Sequence, residues 1–176
     1  SEGLEELGFG IKVYGRLTTT FSEMQPGDVI GVQGPFGVFI LPKEPAPLVF
    51  LAGGIGITPF RSMVRQALAT PSAEPIALIW MEKMWEDLMF HHEFEAWQRV
   101  SGGRFRYYPA LTRDVHPDWT GYRGHLSDAM FDELPVDWMR AHAYVCGPNR
   151  FMDEAKRFLG ERGVLGHPRL HEERYS

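Results

Sequence analysis

Cysteine is almost missing from this chain. Cys146 stands alone among 176 residues, which excludes an internal disulfide and matches a reducing compartment. No apolar run approaches the roughly 20 residues that a bilayer-spanning helix needs, and no signal-peptide pattern opens the chain. Positive charge is also short. The 18 lysines and arginines are outnumbered by 23 aspartates and glutamates, giving a net charge of −5. No basic run marks a nucleic-acid surface or a membrane surface. Internal repeats and low-complexity segments are lacking too. What remains is 44% hydrophobic and 13% aromatic, enough to bury the core of one medium domain, or of one domain plus part of another. A cytoplasmic α/β domain is expected.

The most informative stretch runs from Leu48 to Phe60. A short apolar segment leads into Gly53-Gly54-Ile55-Gly56, and Thr58-Pro59 opens a helix behind it. A strand, a glycine turn and a helix in this order present backbone N–H groups and a positive helix end to a phosphate. Glycine lets the backbone approach a ligand with no Cβ in the way. The bland reading is a tight strand-to-helix turn; the apolar strand ahead and the proline behind favour a nucleotide.

Around this stretch the chain changes rhythm. Phe9, Ile11 and Val13 alternate with polar or small residues as in a half-buried strand. Gly15-Arg16-Leu17-Thr18 then enters a short helix toward Met24, with Thr18 as the expected cap. Pro26-Gly27-Asp28 and Gly34-Pro35-Phe36-Gly37 are turns on either side of a strand at 29–32, and a third strand follows at 38–40. Three strands and one helix do not close a barrel or a sandwich. Residues 1–41 therefore read as the end of a β-domain, and the proline-rich 42–47 as a linker. From Leu48 to residue 176 strands and helices alternate. Strands are expected at 48–52, 76–80, 105–111, 143–146 and 169–172. Helices are expected around 60–68, 86–100, 126–131 and 149–159. Such alternation means a five-stranded parallel sheet with helices on both faces, binding ligands at the carboxyl ends of its strands.

Three further groups carry chemistry or its imitation. Cys146-Gly147-Pro148 ends a strand at the ligand-binding edge; by composition alone Cys146 is as much a small hydrophobe as a ligand contact. His91-His92-Glu93-Phe94-Glu95 imitates a metal motif, but lacks H-E-x-x-H spacing and reads as a solvated helix face, so no metal site is expected. The run from His171 to Ser176 has the composition of a frayed polar tail.

Taken together, these motifs resemble the ferredoxin–NADP⁺ reductase superfamily of FAD-dependent oxidoreductases. Gly15-Arg16-Leu17-Thr18 is similar to the segment that holds the FAD pyrophosphate, and Gly34–Gly37 to the family's G-P-x-G turn. Gly53–Pro59 resembles its G-G-x-G-x-T-P nucleotide loop, Cys146-Gly147-Pro148 its C-G-P signature, and Glu173-Arg174-Tyr175 the E-x-aromatic ending of some members. The five pieces occur in family order over nearly the whole chain, leaning toward the ferric-reductase and NADPH-oxidase dehydrogenase branch. The resemblance implies a β-barrel end followed by an NAD(P)-binding sheet. It implies hydride transfer from NADPH or NADH to FAD, and electrons passed to a small redox protein, a haem or a ferric chelate. Cys146 would orient the nicotinamide, Tyr175 stack on the flavin, and Glu173 relay or orient a proton. Lys83, after the second strand, supplies one charge for a 2′-phosphate, whereas its neighbour Glu82 suits an NADH ribose.

The family's flavin-gripping R-x-aromatic-S/T motif does not occur in the chain. The polypeptide alone is therefore expected to hold FAD weakly, as the cytosolic part of a longer, even membrane-attached, protein would. The rival reading is a non-catalytic nucleotide-sensing or interaction module that keeps the sheet; the Glu173 and Tyr175 ending argues against it. A flavin-free dehydrogenase lacks its glycine fingerprint and an acid–base pair here.

Overall fold

Strand β1 (Leu48–Gly53) is the axis of the fold, apolar at nearly every position and buried along its whole length. A strand that reads as a continuous apolar run needs cover on both faces, which parallel sheets receive from crossover helices. The computed structural model describes residues 7–113 and 116–174, and the chain falls into two units, 1–38 and 39–176.

The second unit is a parallel sheet of six strands, not the expected five. Alongside β1 are β2 (Ile76–Glu82), β3 (Phe105–Leu111), β4 (Tyr122–Arg123), β5 (His142–Gly147) and β6 (Leu170–Arg174), in the spatial order β4-β3-β2-β1-β5-β6. The strand missed by sequence is β4. It is two residues long, too short to show any period, and is set by Tyr122 and Arg123 pairing with Ala110 and Leu111.

Alternate residues of each strand feed two apolar layers. Phe50, Leu78, Trp80 and Tyr107 point to the layer covered by α2 (Ile57–Ala69) and α3 (His91–Val100), which contribute Phe60, Val64 and Phe94. Val49, Leu51, Ile79 and Val145 point to the other, covered by α4 (Asp128–Asp132) and α5 (Asn149–Glu161) with Phe131, Phe151 and Phe158. Each such fully buried side chain stabilises the fold by about 1.5–3 kcal/mol relative to exposure. Polar ties hold each layer in place. Arg61 on α2 grips Glu93 on α3 with two hydrogen bonds of 2.6 and 3.0 Å. Arg162 reaches Asp132 at 2.8 Å while covering the Phe131 ring.

Helix boundaries differ from the periodic pattern in instructive ways. α3 starts at His91 and not at Glu86, because Trp85–Asp87 closes into a separate 3₁₀ turn. Asn149 is the first residue of α5 and not its cap; Pro148 takes the cap position. The Asn149 carboxamide oxygen instead accepts a hydrogen bond from Arg174.

In the first unit the described residues form one regular element, α1 (Arg16–Glu23). The expected strands at 9–13, 29–32 and 38–40 form no ladder among the described residues. A strand exists only where a neighbouring strand takes its N–H and C=O groups; the Ile40 carbonyl instead accepts from the Tyr144 hydroxyl at 2.9 Å, and Phe9, Val13, Val29 and Val32 stay exposed. The Pro26-Gly27 turn does form, closed by the Gln25 amide on the Asp28 carboxylate. Thr18 is not the α1 cap. Gly15 is, at a φ of 84°.

Arg104 ties the end of α2 to the loop before β2, donating to the carbonyls of Ala67, Thr70 and Glu74 at 3.0–3.1 Å. Arg104→Ala is expected to cost roughly 2–4 kcal/mol in chemical denaturation, since three carbonyls lose a charged donor. A pH dependence follows from three histidines. Burial holds His91, His142 and His171 below the ordinary value of 6.5, with His171, Arg169 and His167 adding to the effect at His142. As pH falls the unfolded chain takes up protons first, so stability is full above about 6.5 and declines below it. The thermal midpoint should drop between about pH 7.5 and pH 5.5. His171→Phe, which keeps a ring against Tyr144, should flatten that slope.

Candidate functional site

The order of strands reverses at β1: β2 and β3 lie on one side of it, β5 and β6 on the other. At such a switch point the chain leaves neighbouring strands in opposite directions and opens a crevice at their carboxyl ends. Gly53 ends β1 there and Gly147 ends β5.

Glycine is required at this edge for two physical reasons. Gly54 adopts a φ of 59°, which turns the chain from β1 into the 3₁₀ turn Gly54–Gly56. Gly56 lies so close to β5 that a Cβ would strike the carbonyl of Cys146. The ends of the two strands are nearly in contact, with the Phe151 ring packed beneath both Gly53 and Gly147. Trp80 pins the turn from the other side, its Nε1–H donating to the carbonyl of Gly54 at 3.1 Å.

Two helices start from this edge. α2 follows the glycine turn, with Thr58 donating to the carbonyl of Ile55 at 3.1 Å. Pro59 sits in the first turn, where a missing N–H costs nothing. α5 follows Pro148. Neither helix has a side-chain cap, and each runs for 13 residues, so two positive helix ends open on one crevice. These features fit a dinucleotide pyrophosphate, which needs backbone donors and close approach and tolerates no competing carboxylate cap.

Cys146 and Glu173, far apart in sequence, are register partners across β5 and β6. The Cys146 side chain is buried, in the same layer as Phe50 and Trp80. Burial and the Glu173 charge push its thiol up to about 12. Cys146 is therefore a neutral thiol at physiological pH and not a thiolate nucleophile. Glu173 is exposed, and β6 extends to Arg174, so residues 171–174 are strand and not frayed tail. Arg174 bonds Asn149 and faces Asp153 at 3.7 Å. Tyr175 lies outside the described residues.

Lys83 is exposed beyond the end of β2, and its amide meets the Glu82 carboxylate at 3.3 Å. The segment after β3 lies alongside: Thr112 bonds the carbonyl of Glu82, and the Arg113 amide that of Lys83 at 3.1 Å. Arg113 was not legible as a site residue, because only the β2–β3 pairing brings it beside Lys83. Trp80 and Phe151 were missed as site residues for a related reason: both read as ordinary core. Gly15, Arg16, Leu17 and Thr18 belong to the first unit. There Thr18 accepts from the Tyr14 amide at 2.6 Å and donates to the carbonyl of Gly15. The His91-His92 stretch is not the uniformly solvated face expected. His91 is 8% exposed, because the 3₁₀ turn before α3 carries Trp85 across it.

Residues 50–157 match the family model described as the oxidoreductase NAD-binding domain. The chain is 35% identical over 162 residues to ferredoxin–NADP reductase B of Sorangium cellulosum, covering 87% of this chain and 64% of that protein. It is 30% identical over 166 residues to the glycine betaine monooxygenase reductase subunit of Chromohalobacter salexigens, covering 92% of this chain and 45% of that one. It thus spans less than two thirds of the length of these relatives. Among solved structures, the cytochrome b5 reductase domain of Ulva prolifera nitrate reductase superposes with a TM-score of 0.81 at 20% identity, over 90% of this chain and 66% of the other. The CS-b5R domains of human Ncb5or superpose with a TM-score of 0.75 at 26% identity, over 92% of this chain and 47% of the other. By its nucleotide loop, its sheet and these likenesses, the chain belongs to the oxidoreductase NAD-binding domain family of the ferredoxin–NADP reductase-like superfamily.

Proposed function

We propose that the chain is the NAD(P)H-binding part of a flavin-dependent oxidoreductase that moves a hydride from NADPH or NADH to FAD and electrons onward to an acceptor. The observation that carries this reading is the β1–β5 crevice, where a glycine edge and two uncapped helix ends converge. Relatives named as ferredoxin and monooxygenase reductases support it; the candidate acceptors are small redox proteins, oxygenase components, haems and ferric chelates.

Hydride and electron chemistry is supplied by the nicotinamide and flavin when bound; the chain's residues bind and orient. The first turns of α2 and α5, with Gly53, Gly54, Gly56, Thr58 and Gly147, hold the pyrophosphate by backbone donors and helix dipoles, while Pro59 and Pro148, which have no N–H, set the start of each helix against it. Lys83 and Arg113, on neighbouring strand ends, face the ribose, and their two positive charges favour a 2′-phosphate over a bare hydroxyl. Cys146 shapes the wall of the nicotinamide pocket as a neutral thiol, and Glu173 beside it holds or passes a proton. By resemblance, Gly15, Arg16, Leu17 and Thr18 contact the FAD pyrophosphate and Tyr175 covers the flavin ring.

The test is calorimetric titration of the chain with NADPH and NADH, followed by anaerobic flavin reduction in the FAD-loaded protein. Saturable binding of a dinucleotide with flavin bleaching is expected. No dinucleotide binding would overturn the proposal, and binding without flavin reduction would favour the sensing module. Lys83→Ala should weaken NADPH about tenfold, or 1.4 kcal/mol, and leave NADH unchanged. Cys146→Ser should slow flavin reduction by about tenfold with dinucleotide affinity preserved.

A further inference from the structure

Two strands away from the β1–β5 crevice, the start of α3 gathers three metal-ligating side chains. His91 and Glu95 are one helical turn apart, and His91 Nε2 lies 3.5 Å from Glu95 Oε1. His92 turns toward the same carboxylate, with its Nδ1 3.5 Å from Oε2. One donor atom from each of the three residues lies within 4.8 Å of the other two. They border a pocket of about 420 Å³ whose lining also includes Asp118 and Trp119.

The surroundings treat these residues as more than a surface face. His91 is held between rings, 4.9 Å from Trp85, 5.7 Å from Tyr107 and 5.8 Å from Trp119. Its Nδ1 is 3.3 Å from the Tyr107 hydroxyl. In the tautomer with the proton on Nδ1, the ring donates to Tyr107 and turns the Nε2 lone pair toward Glu95. Metal-binding histidines are oriented in this way, by a fixed partner on the nitrogen that does not bind.

We propose that His91, His92 and Glu95 form a binding site for a late divalent transition ion of the Zn²⁺ type. Zinc bonds to imidazole nitrogen and carboxylate oxygen are about 2.0–2.2 Å, which sets tetrahedral donor separations near 3.4 Å. Each histidine nitrogen lies 3.5 Å from an oxygen of Glu95, His91 from Oε1 and His92 from Oε2, close to that value. All three donors lie within 4.8 Å of one another, and the His92 side chain, 86% exposed, is free to swing onto a shared ion. Two imidazoles with one carboxylate suit zinc, copper and nickel over magnesium and calcium, which prefer oxygen. The positive end of α3 opposes a cation; Glu95 and Asp118 offset it. Three protein ligands leave a fourth position toward the pocket, for water or Asp118. This site is independent of the dinucleotide reading.

The experiment is calorimetric titration of the whole chain with Zn²⁺, with Co²⁺ visible absorption as a report on nitrogen–oxygen coordination. One ion per chain is expected, with tetrahedral-type cobalt bands. His92→Ala and Glu95→Gln alter partly exposed side chains and leave the fold intact. Each should weaken Zn²⁺ by at least about tenfold, and Tyr107→Phe by about tenfold through its orienting bond. His125→Ala, a histidine outside the cluster, should change nothing. NADPH and NADH affinities of the His92 and Glu95 variants should match the parent. No stoichiometric Zn²⁺ binding, or affinity unchanged in both variants, overturns the proposal.

Discussion

The contact on which the rest of the structure depends is the near touch between the ends of β1 and β5. Gly56 leaves no room for a side chain above the carbonyl of Cys146, and Gly53 and Gly147 share the Phe151 ring beneath them. This closeness lets the first turns of α2 and α5 begin side by side and face the same space. A methyl group at Gly56 would force the strands apart, or the turn out of place, and so separate the two helix ends. Packing and the geometry of the proposed dinucleotide site are therefore the same constraint at this point.

Around that contact the fold keeps its polar chemistry at the sheet edge and its apolar mass inside. Val49 and Leu51 face one layer while Phe50 and Ala52 face the other, so β1 carries no polar side chain that would need a partner. Polar groups appear where strands end: Glu82 at the end of β2 and Lys83 just beyond it, Cys146 near the end of β5, Glu173 on β6. The electrostatic character of Cys146 follows from this placement. Buried beneath the edge and opposed by a neighbouring carboxylate, it keeps its proton, which suits a group that shapes a pocket and not one that attacks a substrate.

The two proposed sites use the sheet differently. The dinucleotide crevice relies on backbone, with glycines and helix ends converging where strand order reverses. The metal cluster relies on side chains held by aromatic packing at the start of α3, with Trp85 brought over His91 by the 3₁₀ turn that ends at Asp87.

What the sequence by itself determined was the succession of elements. The apolar run at 48–53, the period of α2 and the strand at 105–111 are local patterns, set by side-chain spacing against a pleat or a helix. The glycine turn was legible for the same reason, since a strand, glycines and a helix stand next to one another in the chain. The segments at 9–13 and 29–32 show the limit of such patterns: the first alternates and the second is an apolar run between turns, as strands are, yet neither pairs in a ladder among the described residues. Only the tertiary structure decided what lies beside what. The sixth strand at Tyr122–Arg123 exists through its partner β3. The meeting of Cys146 with Glu173, of Lys83 with Arg113, and of His91 with Tyr107 each joins residues from separate elements. The physical reason is that a period reports which face of an element is apolar, whereas strand order and register decide which distant residues share an edge.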